Sequence, residues 1–266
     1  MPTPDHQPAS LPSARVNHAK DTVREFWDSQ PCGSSHTTSE EGSKSYFDEV
    51  EQARYQLEPF IPQFAEFERW EGKRVLEVGV GLGSDFVRFA RAGADLTGVD
   101  LTPTAVELVS RRLALEGLDA DLHVADAENL PLEDASFDLV YSWGVLHHTP
   151  NTELAVSEVR RVTAPGGEAR IMLYSRRSWV AMGVWLRYAL AHGRPWRSFT
   201  SVIAQHMESD GTKAYTKSEL ERMFLPHFSN VEFAPFLTPY DRRVGGRLAE
   251  AIGPRLGWFM GINAKP

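Results

Sequence analysis

The run VLEVGVGLG at 75–83 constrains the fold of this chain more than any other feature. A short apolar strand ends in glycines at alternate positions, and a helix-like segment, SDFVRFARAG, follows at once. Glycine tolerates positive φ and lets the backbone approach a bound molecule, while the helix N-terminus offers free N–H donors. Strand candidates recur at 95–99, 121–125 and 137–142, and EARIMLYS supplies a fifth at 168–175. Between them lie helical patterns. Thr102 reads as an N-cap with Pro103 at the first helical position, and Val106, Val109 and Leu113 share one face. A further helix is expected over 152–162. Strand–helix alternation at this spacing implies a mostly parallel sheet with helices on both faces.

The alternation lapses after Ser175 for roughly forty residues. It resumes at Thr216, where TKSE fits a capping box that opens a helix through Phe224. Strand candidates at 230–236 and 257–264 flank the helix-like GRLAEAIG, which makes seven strands with an insert after the fifth. The expected organisation is a flexible tail over 1–15, a helical and aromatic cap over 16–71, a core over 72–175, an insert or lid over 176–215, and the rest of the core sheet over 216–266. With 266 residues, 42% of them apolar and 24% charged, the chain reads as one embellished globular domain.

Three acidic residues sit at successive strand ends around the glycines. Glu77 lies inside the glycine motif, where a carboxylate would repel a pyrophosphate and suits a ligand with a cationic end. Asp100 ends the second strand, where a carboxylate can take both hydroxyls of a ribose. Asp126 ends the third and can accept from an exocyclic amine such as that of adenine. The dinucleotide fingerprint would need a third glycine at position 84, which is Ser84 here.

Taken together, VLEVGVGLG, GVDLT, VADAENLPLEDASFDLVYSWGVLHH and EVRRVTAPGGEARIMLY resemble class I S-adenosylmethionine-dependent methyltransferases, in the small-molecule branch called type 11 or UbiE-like. The resemblance spans residues 73–175 and implies a Rossmann-like sheet and S-adenosyl-L-methionine as cofactor. It implies that Glu77 and the backbone around Gly79, Gly81 and Gly83 hold the methionine end. Asp100 with Leu101 would hold the ribose, Asp126 with Ala127 would edge the adenine, and Ser142 and Gly144 would line the methyl-donor pocket.

His147 and His148 follow the fourth strand and face the expected mouth, where a neutral imidazole can take a proton. Tyr46 joins them as a candidate catalytic group. Phe47, Trp143 and Trp185 are candidate walls for an acceptor. Between Glu168 and Glu208 there is no acidic residue, whereas Arg170, Arg176, Arg177, Arg187, Arg194 and Arg197 fall there. The chain carries a net −8, so this stretch of +6 leaves −14 for the rest. An anionic acceptor met by insert arginines, Arg176 and Arg177 first, is therefore expected.

The acidic balance argues against a nucleic-acid partner, since phosphate neutralisation needs surplus Lys and Arg. The apolar run at 179–190, broken by Arg187, falls short of the ~20 residues of a membrane span. It suits a buried helix, a contact in a homo-oligomer, or a peripheral membrane contact. The histidines and the lone Cys32 show no metal-ligand spacing. One cysteine and no secretory signal favour a reducing, cytoplasmic setting. The leading expectation is methyl transfer to a small, partly apolar acceptor such as a secondary metabolite or a prenyl or lipid-like compound. The alternatives are an NAD(P)-dependent oxidoreductase and a non-catalytic cofactor-binding module.

Overall fold

The computed structural model describes residues 13–266, with side chains from residue 18. Residues 1–12 of the tail expected over 1–15 lie outside the described residues, and residues 13–15 open the first helix. That helix, α1 (Ser13–Ser29), precedes α2 (Lys44–Leu57) and the short α3 (Ile61–Ala65). The core follows as β1 (Arg74–Val78), α4 (Ser84–Arg91), β2 (Asp95–Asp100), α5 (Pro103–Glu116), β3 (Asp121–Val124), β4 (Phe137–Trp143), α6 (Thr152–Val162) and β5 (Thr163–Tyr174). After it come α7 (Trp179–Tyr188), α8 (Phe199–His206), α9 (Lys217–Phe224), β6 (Asn230–Phe236), α10 (Pro239–Ile252) and β7 (Phe259–Lys265).

The seven strands form one sheet in the order β3-β2-β1-β4-β5-β7-β6. β1 to β5 are parallel, and β7 runs antiparallel between β5 and β6. This is the expected Rossmann-like, mostly parallel α/β sheet. The central strands carry runs of buried apolar residues because helices cover both faces, as the burial of Val75, Leu76, Leu139, Val140 and Ile171 records. One core cluster joins Val75, Phe86, Phe89 and Tyr141 on one face. A second joins Leu76, Val140, Val156 and Val159 on the other.

Local chemistry fixes the helix ends. The Thr216 side chain accepts from the Glu219 N–H and the Glu219 carboxylate accepts from Thr216, the reciprocal pair read from the sequence. α10 begins the same way at Thr238 and Asp241, well before the GRLAEAIG segment, and kinks at Gly246. Thr102 precedes α5, but its hydroxyl donates to Asp100 instead of capping the helix. The strand order reverses at β1 and β4, which start opposite halves of the sheet, and ligands bind outside the carboxyl ends of strands at such a point.

Candidate functional site

A cavity of about 850 Å³ opens at the carboxyl ends of β1, β2 and β4. Its floor is the glycine turn. Gly79, Gly81 and Gly83 all have positive φ, at 86°, 51° and 74°. A Cβ on Gly79 would run into the methyls of Val145, whereas one on Gly81 would meet nothing within 4 Å. Gly79 is therefore glycine because of packing, and Gly81 because its backbone borders open cavity. Gly83 faces Val109 of α5 and does not line the cavity.

Glu77 is only 4% exposed, and its Oε2 has no hydrogen-bond partner. Burial, and next the carboxylates of Asp85 and Asp100, push its pKa well above the ordinary carboxylate range. A buried acid that lacks a partner and borders a cavity fits a cationic ligand group. Asp100 accepts from the N–H of Gly81 at 3.0 Å and from the N–H and hydroxyl of Thr102 at 2.9 and 2.8 Å. These bonds aim its carboxylate at the cavity rim. Asp126 accepts from the Glu128 N–H at 2.9 Å, and the Lys20 ammonium lies 2.5 Å from its Oδ2 and 2.7 Å from Glu128. Helix α1 thus crosses the mouth and holds a donor where an exocyclic amine was expected. Leu101, Ala127 and Gly144 also line the cavity.

Ser142 does not reach it. Successive strand residues face opposite sides. Trp143 of β4 points into the cavity, while Ser142, fully buried, donates to the Val78 carbonyl at 2.9 Å.

The other half of the cavity is aromatic, walled by Phe26, Trp27, Trp143, Tyr174, Trp258 and Phe259. Tyr174 stacks on Trp258 at 4.3 Å and on His147 at 3.8 Å. His147 has no exposed surface, neither ring nitrogen has a partner, and it does not line the cavity. Its candidacy as a base is therefore corrected, because no acceptor can touch it. His148 does line the cavity. Its Nδ1 bonds Ser209 at 2.8 Å and its Nε2 lies 3.7 Å from Glu208. Burial, and next Lys213, push its pKa down to about 3, which keeps it neutral. Glu208 accepts from the Tyr174 hydroxyl at 2.9 Å, and burial raises its pKa.

Several other candidates lie elsewhere. Tyr46 and Phe47 are buried in a cluster with Val50, Leu82 and Leu108, of which Val50 and Leu82 line the cavity while Tyr46 and Phe47 do not. Phe26 and Trp27 form the wall that was expected of Phe47. Arg176 is paired with Glu219 at 2.6 Å, and Arg177 is exposed off the cavity. Trp185 donates to the Arg197 carbonyl and stacks on Phe199. None of the insert arginines lines the cavity.

The lining instead carries six carboxyls, Glu58, Glu77, Asp85, Asp100, Asp126 and Glu208, against Lys20 and Arg54, which are already paired. That balance removes the basis for an anionic acceptor. Sequence reasoning missed the pair behind the glycine turn, in which Arg54 holds Asp85 at 2.6 Å and Tyr55 and Tyr141 donate to the same carboxylate. Its signal was an acid in the first turn of α4, directly after the glycines.

A positive-φ glycine turn with strand-end acids, at the reversal point of a mostly parallel seven-stranded sheet, defines a nucleoside-cofactor site of the Rossmann-like class. Residues 76–171 match the family model of the methyltransferase domain, and this match supports a class I S-adenosylmethionine-dependent methyltransferase core over those residues. A phthiotriol/phenolphthiotriol dimycocerosates methyltransferase of Mycobacterium ulcerans is 44% identical over 98 residues, 36% of this chain and 35% of that protein. A sterol 4-C-methyltransferase of Caenorhabditis elegans is 33% identical over 100 residues, 37% of this chain and 30% of that one. Over these relatives the chain spans about a third of their length. An N-methyltransferase of Haemonchus contortus, solved with phosphomonomethylethanolamine and S-adenosylhomocysteine, superposes with a TM-score of 0.59. That match has 21% identity and covers 92% of this chain and 60% of the other.

Proposed function

We propose that this chain moves the methyl group of S-adenosylmethionine to an apolar, uncharged or basic acceptor seated among the aromatic walls of the cavity. The observation that carries the reading is the single cavity whose one half is glycine turn and strand-end acids and whose other half is aromatic. Glu77 would hold the ammonium of the cofactor, Asp100 the ribose hydroxyls, and Asp126, once Lys20 yields, the adenine amine. When bound, the cofactor supplies an already activated methyl on a sulfonium, so the protein's work is alignment, exclusion of water and proton removal.

Trp143, Tyr174 and Trp258 hold the acceptor, and their faces suit a cation nearby. Helix α1 closes the mouth through Trp27, which meets the His148 ring edge-on at 5.1 Å. His148, neutral and steadied by Ser209 and Thr212, and Glu208 beside it are the groups able to take a proton from the acceptor. Glu208 stands in the role that sequence reasoning gave to His147. The two relatives are named for a sterol and for phthiotriol/phenolphthiotriol dimycocerosates, and the sterol supports an apolar acceptor. A cytoplasmic setting belongs to the same proposal.

The test is mass spectrometry of S-adenosylmethionine reactions with three acceptor sets: hydroxylated polycyclic or long-chain lipids, apolar amines, and small carboxylates or phosphates. A gain of one methyl confined to the apolar sets is expected. Turnover of the anions alone would overturn the acceptor reading. Tight cofactor binding without transfer to any set would favour a non-catalytic binding module.

A further inference from the structure

Eight of the twelve large apolar side chains exposed among the described residues fall in residues 182–196 and on α10. On α7, Met182 and Leu186 are one turn apart and 39% and 42% exposed. Val244 of α10, 46% exposed, packs against Gly183, with its methyls 3.0 Å from where a Cβ there would sit. The two helices thereby meet at this surface, and Leu248, at 56% and past the Gly246 kink of α10, and Trp196, at 78% and past the end of α7, are exposed as well.

Basic residues outnumber acids around it, with Glu250 the one exposed acid on α10. Arg187, Arg194, Arg243, Arg247 and Arg255 are exposed and make no ion pair with the described residues, while Arg242 lies 3.8 Å from Glu250. Residues 169–207 contain no acid.

We propose that this face of α7 and α10 docks on an anionic lipid bilayer. An apolar face ringed by arginines is what binds the headgroup region of such a membrane, with strength set by buried apolar area and by attraction to anionic lipid. The chain as a whole carries −8, so the attraction is local to this face. A second copy fits the surface poorly, because a two-fold contact would set its arginines against one another. The face also adjoins the cavity, since Val180 of α7 and Tyr240 of α10 line it. An apolar acceptor dissolved in lipid would have a short path inward. The docking itself does not depend on methyl transfer.

The test is flotation of the full chain with phosphatidylcholine vesicles and with vesicles containing about 30% phosphatidylglycerol, at low salt and at high salt. At least fivefold more protein should float with the anionic vesicles, and high salt should remove most of the difference. The exposed pair Arg187→Glu/Arg247→Glu should abolish the preference for anionic lipid. Leu186→Glu/Leu248→Glu should abolish flotation, and Leu225→Glu, just past the end of α9, should not. Thermal unfolding and S-adenosylhomocysteine titration verify that each variant folds, and the arginine pair carries the test if the leucine pair does not. No flotation with anionic vesicles would overturn the proposal, as would flotation that neither pair alters. So would a dimer in light scattering that Leu186→Glu/Leu248→Glu converts to monomer.

Discussion

Gly79→Ala is the substitution whose cost can be worked most directly from the geometry. Two effects add. A non-glycine residue at φ 86° costs about 1–2 kcal/mol in backbone strain. The new methyl collides with Val145, and overpacking of this kind costs about 1–3 kcal/mol. Lower entropy in the unfolded chain returns up to about 1 kcal/mol. The net loss should be about 1–5 kcal/mol, read by urea denaturation. Only the collision can be relieved. In the double variant Gly79→Ala/Val145→Ala, a coupling of at least about 1 kcal/mol should remain after both single effects are subtracted. Gly81→Ala, with φ 51° and empty space beside it, should lose only the strain portion less the same entropic return, about 0–2 kcal/mol, yet should weaken S-adenosylhomocysteine binding. A Gly79→Ala cost under about 0.5 kcal/mol, or zero coupling to Val145, would refute the packing argument.

Arg54→Met should cost about 3–5 kcal/mol, because it leaves the 1%-exposed Asp85 side chain charged beside two tyrosine hydroxyls alone. Arg54→Met/Asp85→Asn should regain most of that loss in the same denaturation assay, and equal losses would refute the pairing. Glu77 has a raised pKa, so its contribution to stability is present below the ordinary carboxylate range and is lost as pH rises through the folded value. Glu77→Gln should therefore stabilise the ligand-free protein at pH 8 by more than about 1 kcal/mol while weakening S-adenosylhomocysteine at least tenfold. A destabilised Gln variant would contradict this. His147 and His148 are both held below the ordinary histidine value by burial, so the stability they allow is complete above pH ~6.5 and is lost as pH falls below it. His147→Phe/His148→Gln should flatten the pH dependence of stability near pH 5.5 by about 2.5 kcal/mol per pH unit. The raised carboxyls titrate in the opposite sense and are common to both proteins, so an unchanged slope would mean that the imidazoles are not sealed.

The parts of the molecule that were legible in the sequence are those set by short-range chemistry. Positive-φ glycines, the Thr216–Glu219 box and apolar strand runs act over a few residues, and the sheet follows from their alternation. The bounds of α6 and β6 agree with the sequence reading. What failed depends on which face of an element meets which partner. Two aromatic segments lie in the N-terminal region, and nothing local tells that Phe26 and Trp27 reach the cavity while Tyr46 and Phe47 pack under α5. His147 and His148 are neighbours in a single turn of 3-10 helix, so one points into the core and the other at the mouth. Ser142 fell to the two-residue alternation of β4, a rule that the sequence already contained. The arginines of the insert were counted correctly but face outward, and the net charge of the cavity was set by acids from six different segments.

Titration calorimetry with S-adenosylhomocysteine tests the central claim most directly. The account predicts saturable binding at one site per chain, weakened at least tenfold by Asp100→Asn, with no competing heat from NADH. Binding that Asp100→Asn leaves intact, or binding of NADH alone, would contradict it.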